Sequence, residues 1–536
     1  MSVQGVFAAN SFAALPKGKA CLNCRRRKIK CDGAQPKCGP CTRYKAFSDC
    51  EYGGDGPLST HVLEEQIAIL QARINELEQP ASTQQQSRQI SPTNTMQLGP
   101  LLSYFFNQQI SGNVVDQQAL QAMPTDLPFI VLQALVHNFL HNASCFGFFL
   151  DAQTFHDAIT SPSAQDLPQI LLNVMYLWGV HLSNDPRITA YEPAFLAHAL
   201  KSTASGLSGA HPRTVVYSIQ ASVLLAVYFF RTARRLEARY HTSVAIATAL
   251  SAGLNRIRGR AAQGGSALGD VGTLEEGERI SAFWSAVALG GGWAGCGAME
   301  PNVVFFKSSP SSGVAALTVD TPWPLEPGDY MQNQHLLPAR NADTVTRFLT
   351  ERPCPSSSIP ALRAKASILL DLSAQIGARV RAGAVLPSDT SVSSLSLSRT
   401  IEAFGSTLPP VQSRDGLVIH TLVYSATIKL FEALSDKHSQ ARGRVLAATR
   451  SIVELLVKAD LPQLGVIDPI LAPLWASAAQ VIVSEITRRR AESGDTQSLV
   501  EAIGIVVAAM RLFPFPLMDI HLKKLKDACA PAQIFL

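Results

Sequence analysis

The sequence predicts a mostly α-helical chain in three parts: a small cysteine-rich head, a short coiled coil and a large all-α body. Three observations predict it. Six of the ten cysteines fall between Cys21 and Cys50, and the apolar residues that follow repeat at the period of a coiled-coil seam. Beyond residue 120, long apolar-periodic segments alternate with Pro/Gly/Ser breaks, and strict period-2 alternation is rare. At 536 residues the chain is too long for one compact unit, and with 47% apolar and 16% charged residues it can bury a sizeable core, which excludes wholesale disorder.

Charge is uneven along the chain. Between Lys17 and Cys50 ten Lys/Arg and two Asp give a net +8, whereas the whole chain is +5, so the rest carries −3. A basic head on a nearly neutral body fits a polyanion-binding module joined to something that does not bind polyanions. The first residues show no positive stretch ahead of an apolar one, so no secretory signal is read, and a disulfide framework loses its oxidising compartment. Thr214 to Phe230 and Ile280 to Met299 are apolar, but the first is short of ~20 residues and glycines break the second. Both read as buried helices, and no membrane partner is expected.

The head reads C-x2-C-x6-C-x6-C-x2-C-x8-C through Cys21, Cys24, Cys31, Cys38, Cys41 and Cys50. Zinc bound by thiolates wants four tetrahedral sulfurs, and each CxxC supplies two from one turn of chain. Six sulfurs over-supply one ion and under-supply two isolated ones. Two Zn2+ per chain are satisfied if two of the cysteines each bridge both metals; disulfides and two independent zinc sites are the weaker alternatives.

The spacing, the basic run Arg25-Arg26-Arg27-Lys28-Ile29-Lys30 and Pro36 before the fourth cysteine together resemble the fungal zinc binuclear cluster DNA-binding domain. The resemblance implies that Cys21 and Cys38 bridge, that Cys24 and Cys31 complete one zinc and that Cys41 and Cys50 complete the other. With six thiolates and two ions the head remains at +6, still attractive to phosphate. A short helix starting near Cys21 would carry Arg25 to Lys30 outward and into a major groove. By resemblance Lys28 contacts the bases of a CGG triplet with Arg27 assisting, and Lys19, Arg25 and Lys30 meet phosphate. Arg26, Arg43 and Lys45 are further candidates for phosphate contact, which sets affinity more than sequence choice. The same basic run reads as a nuclear-import signal.

The head and its cluster are assigned to 17–52 and a linker to 53–59, within a turn-rich stretch holding Gly53, Gly54, Gly56 and Pro57. Over 60–79, Leu63, Ile67, Leu70, Ile74 and Leu77 are spaced 4, 3, 4, 3. With leucine at d and Thr60, Ile67 and Ile74 at a, the pattern favours a parallel two-stranded coil, and Arg73 can reach Glu78 of the partner. Homodimerisation is the expected consequence; the alternative is an amphipathic helix packing on its own chain. Residues 80–97 are polar, hold two prolines and read as a disordered linker.

In the body, Thr273 with Glu276 forms a capping box ahead of Ile280, Phe283, Trp284 and Val287, whose stripe faces a core. Another helix is expected from about Arg234 through Leu236, Tyr240, Val244 and Leu250, with Gly253 near its C-cap. The Ser-rich run Pro387 to Ser398 reads as a surface loop or subdomain boundary. Segments beginning at Leu135, Gln220, Glu275 and Val319 resemble the fungal-specific regulatory region, the middle homology region, which is assigned to 120–345; 346–536 is a helical C-terminal region. Gly290-Gly291-Gly292 departs from that family's continuing aliphatic helix.

Motifs that would point to an enzyme fail on inspection. GGGWAG from Gly290 fits GxGxxG but follows a helical pattern instead of a strand, and His137 and His141 lack the intervening glutamate of a zinc peptidase. The scattered cysteines 145, 296, 354 and 529 read as small buried side chains. The expected function is therefore a nuclear, zinc-dependent, sequence-specific transcription factor of RNA polymerase II genes. It is read as a homodimer on double-stranded DNA with paired CGG-like half-sites, working with transcription machinery or co-regulators. A small-molecule effector in the helical body is compatible with this reading. The alternative is a helical-body enzyme or interaction protein that a basic zinc module only targets.

Overall fold

The computed structural model describes residues 20, 21, 24, 29–32, 34, 37–43, 129–160, 168–205, 213–257, 273–297, 319–332, 343–350, 358–383, 394–531 and 534. The linker 53–59, the coiled coil 60–79 with Leu63, Ile67, Leu70, Ile74 and Leu77, and the tether 80–97 lie outside the described residues. The chain divides into two compact units, 1–94 and 95–536. Among the described residues every regular element is a helix and none is a strand.

The first unit contributes one short described helix, α1 (Gly39–Arg43). Among the described residues the second has thirteen helices of ten residues or more. Its first half holds α2 (Phe129–Leu140), α3 (Gln169–His181), α4 (Glu192–Ser205), α5 (Arg213–Arg231), α6 (Arg235–Ser251) and α7 (Thr273–Gly295). Its second half holds α8 (Ile359–Arg381), α9 (Ser394–Ser406), α10 (Arg414–Phe431), α11 (Ser439–Lys458), α12 (Leu471–Ala491), α13 (Gln497–Leu512) and α14 (Pro516–Cys529). One continuous apolar core runs through both halves, so the two share a single interior.

Local chemistry explains where these helices start and stop. The α8 N-cap is Ser358, whose Oγ accepts from Ala361 N at 3.3 Å with Pro360 in the first turn. Ser413 caps α10 in the same way, accepting from Gly416 N at 3.1 Å. Helix α7 begins at Thr273 with Glu275 and Glu276 in its first turn, where the helix dipole favours negative charge. Helix α6 ends at Ser251, and Gly253 follows at φ +71°, a left-handed position that glycine adopts without strain.

The path through the core is α5 against α7, α7 against α8, α8 against α10, and α10 against α11 and α12. Glycines set how closely these helices cross. A Cβ on Gly292 would stand 2.8 Å from Ile470 Cδ1, one on Gly295 would stand 2.5 Å from Leu370 Cγ, and one on Gly377 would run into Lys429 O. The triple glycine is thus a helix surface planed down for α8, and its departure from an aliphatic pattern is a packing device. GGGWAG lies inside α7, which rules out a strand-to-helix phosphate loop there.

Aromatic stacking fills the rest. Trp178 stacks on Phe146 at 3.9 Å and donates its Nε1 to Leu224 O at 3.2 Å; Trp293 stacks on Phe230 at 3.7 Å. The apolar window of α5 is 78% buried inside the body, as a core helix requires. Arg414–Leu434 is also long and apolar enough to span a membrane, and 56% of its window is buried.

Two expectations change. The buried face of α6 is Ala238, His241, Thr242, Ala245, Ile246 and Ala249, while Leu236 and Tyr240 are exposed at 77% and 63%. That face is mostly small side chains, with His241 stacked on Phe229 of α5 at 5.4 Å, because close helix packing favours small residues. The Ser-rich run does not stay irregular to its end: Ser394 opens α9, and Leu397 and Ser398 are buried.

Candidate metal centre

Cysteine sulfurs organise the described part of the head. The Sγ atoms of Cys21, Cys24, Cys31 and Cys38 all lie within 4.8 Å of one another, and all four residues are buried. Cys21 Sγ is 3.7 Å from Cys38 Sγ and 3.8 Å from Cys41 Sγ, and Cys24 Sγ is 3.7 Å from Cys38 Sγ. Zinc–thiolate bonds of about 2.3 Å at tetrahedral angles put neighbouring sulfurs about 3.8 Å apart. The observed spacings are those of the edges of such tetrahedra, and the donor set fits zinc. Cys21 and Cys38 hold the central edge: Cys24 approaches it from one side and Cys41 approaches Cys21.

Local structure places these sulfurs. Cys24 is helical, and its N–H donates to Cys21 Sγ at 3.4 Å, a bond that favours a thiolate there. Ile29 N donates to Cys24 O at 3.1 Å, closing the turn. Helix α1 delivers Cys41 one turn after Cys38, and Thr42 Oγ1 ties back to Cys38 O at 3.0 Å. Burial first, and then the hydrogen bond from Cys21, push the Cys24 thiol up to about 12. A thiolate cluster needs the opposite ionisation, so bound metal supplies the free energy that holds these sulfurs deprotonated.

Asp32 was not among the residues singled out by sequence. Its carboxylate accepts from Gly39 N at 3.0 Å and 2.9 Å and from Ala34 N at 3.3 Å, fastening the loop after Cys31 to the start of α1. The Asp32-Gly33 pair directly after the third cysteine is the turn signal that could have found it.

Of the basic residues, Lys30 is described and exposed beside exposed Ile29, on the outside of the sulfur cluster. Arg43 ends α1. Lys19, Arg25, Arg26, Arg27, Lys28, Lys45 and Cys50 lie outside the described residues. In the body His137 and His141 are exposed, and the His137 ring meets that of His156 edge-on at 5.7 Å. Among the described residues the cysteine group is the one place where three or more His, Cys, Asp or Glu converge as metal ligands. Cys145 and Cys529 are buried, Cys296 is partly buried, and Cys354 lies outside the described residues.

Two family models match the chain: the fungal Zn(2)-Cys(6) binuclear cluster domain over residues 19–55 and the fungal specific transcription factor domain over 136–266. The chain is 38% identical over 63 residues to the citrinin biosynthesis transcriptional activator mrl3 of Monascus ruber, a stretch covering 11% of this chain and 12% of that protein. It is 48% identical over 52 residues to the C6 finger domain transcription factor hasF of Aspergillus fumigatus, covering 9% and 7%. An ABC-transporter-regulating transcription factor of the same species is 56% identical over 34 residues, 6% of this chain and 4% of that one. The matched stretches span 12% or less of these curated relatives.

Cluster geometry and the first family model agree over the head: residues 19–55 are those of a fungal Zn(2)-Cys(6) binuclear cluster domain, and residues 136–266 match a fungal specific transcription factor domain. Its cofactor is a pair of zinc ions held by the six-cysteine cluster. Both families and the relatives are transcription factors and not enzymes.

Proposed function

We propose that the chain is a zinc-dependent, sequence-specific DNA-binding regulator of RNA polymerase II genes, acting in the nucleus as a homodimer on paired CGG-like half-sites. The observation that carries this reading is the sulfur cluster with tetrahedral edge spacing, whose second and third cysteines flank the basic run 25–30 in sequence. Cys21 and Cys38 bridge the two ions, Cys24 and Cys31 complete one, and Cys41 and Cys50 complete the other. The central Cys21–Cys38 edge supports that division.

Zinc supplies a rigid folding nucleus that so small a head cannot build from apolar residues. On that support Lys28, with Arg27, reads guanine O6 and N7 in the major groove. Lys19, Arg25, Arg26, Lys30 and Arg43 neutralise phosphates and fix register. Leu63, Ile67, Leu70, Ile74 and Leu77 pair two chains, and 53–59 sets the distance between half-sites. The body, divided by sequence into 120–345 and 346–536, serves as the regulatory part that transcription machinery or co-regulators engage.

In vitro selection from random duplex DNA with the full zinc-loaded chain tests the reading. Two CGG-like triplets at one fixed spacing should be enriched, and chelation should abolish the enrichment. A lone triplet would remove the dimer; no enrichment at all would remove direct DNA reading.

A further inference from the structure

The body encloses a cavity of about 250 Å³ where its two halves meet. The first half contributes Phe148, Val223, Trp284 and Trp293 to its wall, and the second contributes Arg363, Asp415, Asp468 and Ile470. The family match to the regulatory domain ends at residue 266, so the site is completed by helices beyond it.

The apolar wall is already fixed in place. Trp284 stacks on Trp323 at 4.2 Å and donates its Nε1 to Pro322 O at 2.6 Å, and the Trp293 ring lies on Phe230. These indoles need no rearrangement to receive a ligand, which keeps the entropic cost of binding small.

The polar end carries more negative charge than positive. Three carboxylates, Glu326, Asp415 and Asp468, line it with one cation, Arg363. Asp468 is saturated: its Oδ2 pairs with Arg363 Nη2, and its Oδ1 accepts from Ile470 N at 2.9 Å. Glu326 Oε1 accepts from Ile359 N at 2.6 Å, at the start of α8. Among the described residues Asp415 has one ion pair, Arg363 Nη1 at 3.7 Å from its Oδ1, and no hydrogen-bond donor, while the charges of Asp468 and Arg414 also act on it. Burial pushes the carboxyls of Asp415 and Glu326 above the ordinary range, since lost solvation is not fully restored by protein groups.

The other arginines of this seam are outside the wall. Arg414 donates to Asn142 Oδ1 at 3.0 Å and Cys145 Sγ at 3.6 Å. Arg231 lies 4.5 Å over the Phe515 ring and donates its Nε to His181 Nε2 at 3.1 Å, and its buried Nη1 has no partner among the described residues.

We propose that this cavity binds a small organic amine on an apolar, aromatic skeleton, with Asp415 receiving the ammonium group and Trp284 and Trp293 bounding the skeleton. If a 150 Å³ apolar cavity takes benzene, this volume suits roughly ten non-hydrogen atoms. An ammonium supplies the donor that Asp415 lacks, in a charge-assisted hydrogen bond, and gains from indole faces nearby. A carboxylic acid in the same place would add to an excess of negative charge. Because the occupant touches both halves, its binding stabilises their closed arrangement.

The test uses the full zinc-loaded chain and three probes of matched size: 2-phenylethylamine, 3-phenylpropionate and propylbenzene. Tryptophan emission and melting temperature are followed. The amine should change emission saturably and raise the melting temperature, and the acid should bind roughly tenfold more weakly or worse. Asp415→Asn should weaken the amine by about the same factor with zinc content unchanged. Ala288→Leu, which fills the cavity, should remove binding of every probe while melting stays level or rises. The proposal is overturned if the acid binds as well as the amine, which would make Arg363 the receptor. Indifference to Asp415→Asn, or no saturable response to any probe, also overturns it. No readout involves DNA, so failure here leaves the DNA reading standing, and the reverse holds too.

Discussion

The head and the body are held together by different physics. Among the described residues of the head the buried side chains are the cysteines themselves, with Ala20 packed against them, so order there depends on ligands around metal. In the body about a hundred buried apolar side chains form one cluster shared by the packed helices, and no ligand is needed to account for it. Function divides in the same way. A metal-built module can present a dense positive face because it does not rely on a core to offset charge repulsion, whereas a helix-built module can enclose a cavity because its core is large enough to leave space.

The largest effect that would break this contrast is on the central sulfur edge. Cys38→Ser should lose the two-zinc complement and all specific DNA binding, as metal analysis and a mobility-shift assay would show. The body should melt as before; a body that unfolded with the cluster would mean that the two regions are not independent. Next in size, Gly377→Val places methyl groups against Lys429 O and should destabilise the body by about 3 kcal/mol or more while zinc content stays at two per chain. Denaturant unfolding followed by tryptophan emission checks it.

A third effect sharpens the comparison through pH. Asp371 is buried on α8, and burial pushes its carboxyl up to about 6. An acid whose folded value lies above its unfolded value is favoured protonated in the fold. Its contribution is fully present below about pH 4 and is lost as pH rises through about 6. Asp371→Asn should therefore match the wild type near pH 4 and exceed it at pH 7, by on the order of 2 kcal/mol. A variant equally displaced at both values would show a packing effect instead. The smallest effect belongs to the head: Lys28→Ala should cost about 1–3 kcal/mol of specific binding with both zincs retained. Loss of zinc with that change would show that Lys28 serves the fold and not the bases.

Much of this contrast was legible in sequence, for reasons that differ by region. Thiolate chemistry fixes ligand number and geometry so tightly that the five spacings between Cys21 and Cys50 carried the metal site. Helical character beyond residue 120 followed from apolar periodicity, and Gly253 and the Thr273 start of α7 were readable from caps. Which face each helix buries was harder: on α6 the large side chains Leu236 and Tyr240 point to solvent and the small ones pack. Gly291, Gly292 and Gly295 were readable as an oddity, but their purpose depends on Ser367, Leu370 and Ile470, which lie far along the chain. The cavity left no local trace, because its wall draws on residues from Ser144 to Ile470 that no window contains together.

The bond from Arg414 to Asn142 spans 272 residues of chain. Read as a length it describes topology, but on a ribosome it is also a delay. At 5–20 residues per second, Asn142 leaves the synthesis site roughly 15 to 55 seconds before Arg414 exists. Within that interval, from the completion of α7 at Gly295 until α8 follows at Ile359, the glycine face of α7 has no partner helix and its apolar surface stands open. A newly made body is accordingly a client for chaperones, and a stalled or truncated message that ends before α8 yields a product with its core exposed to quality control.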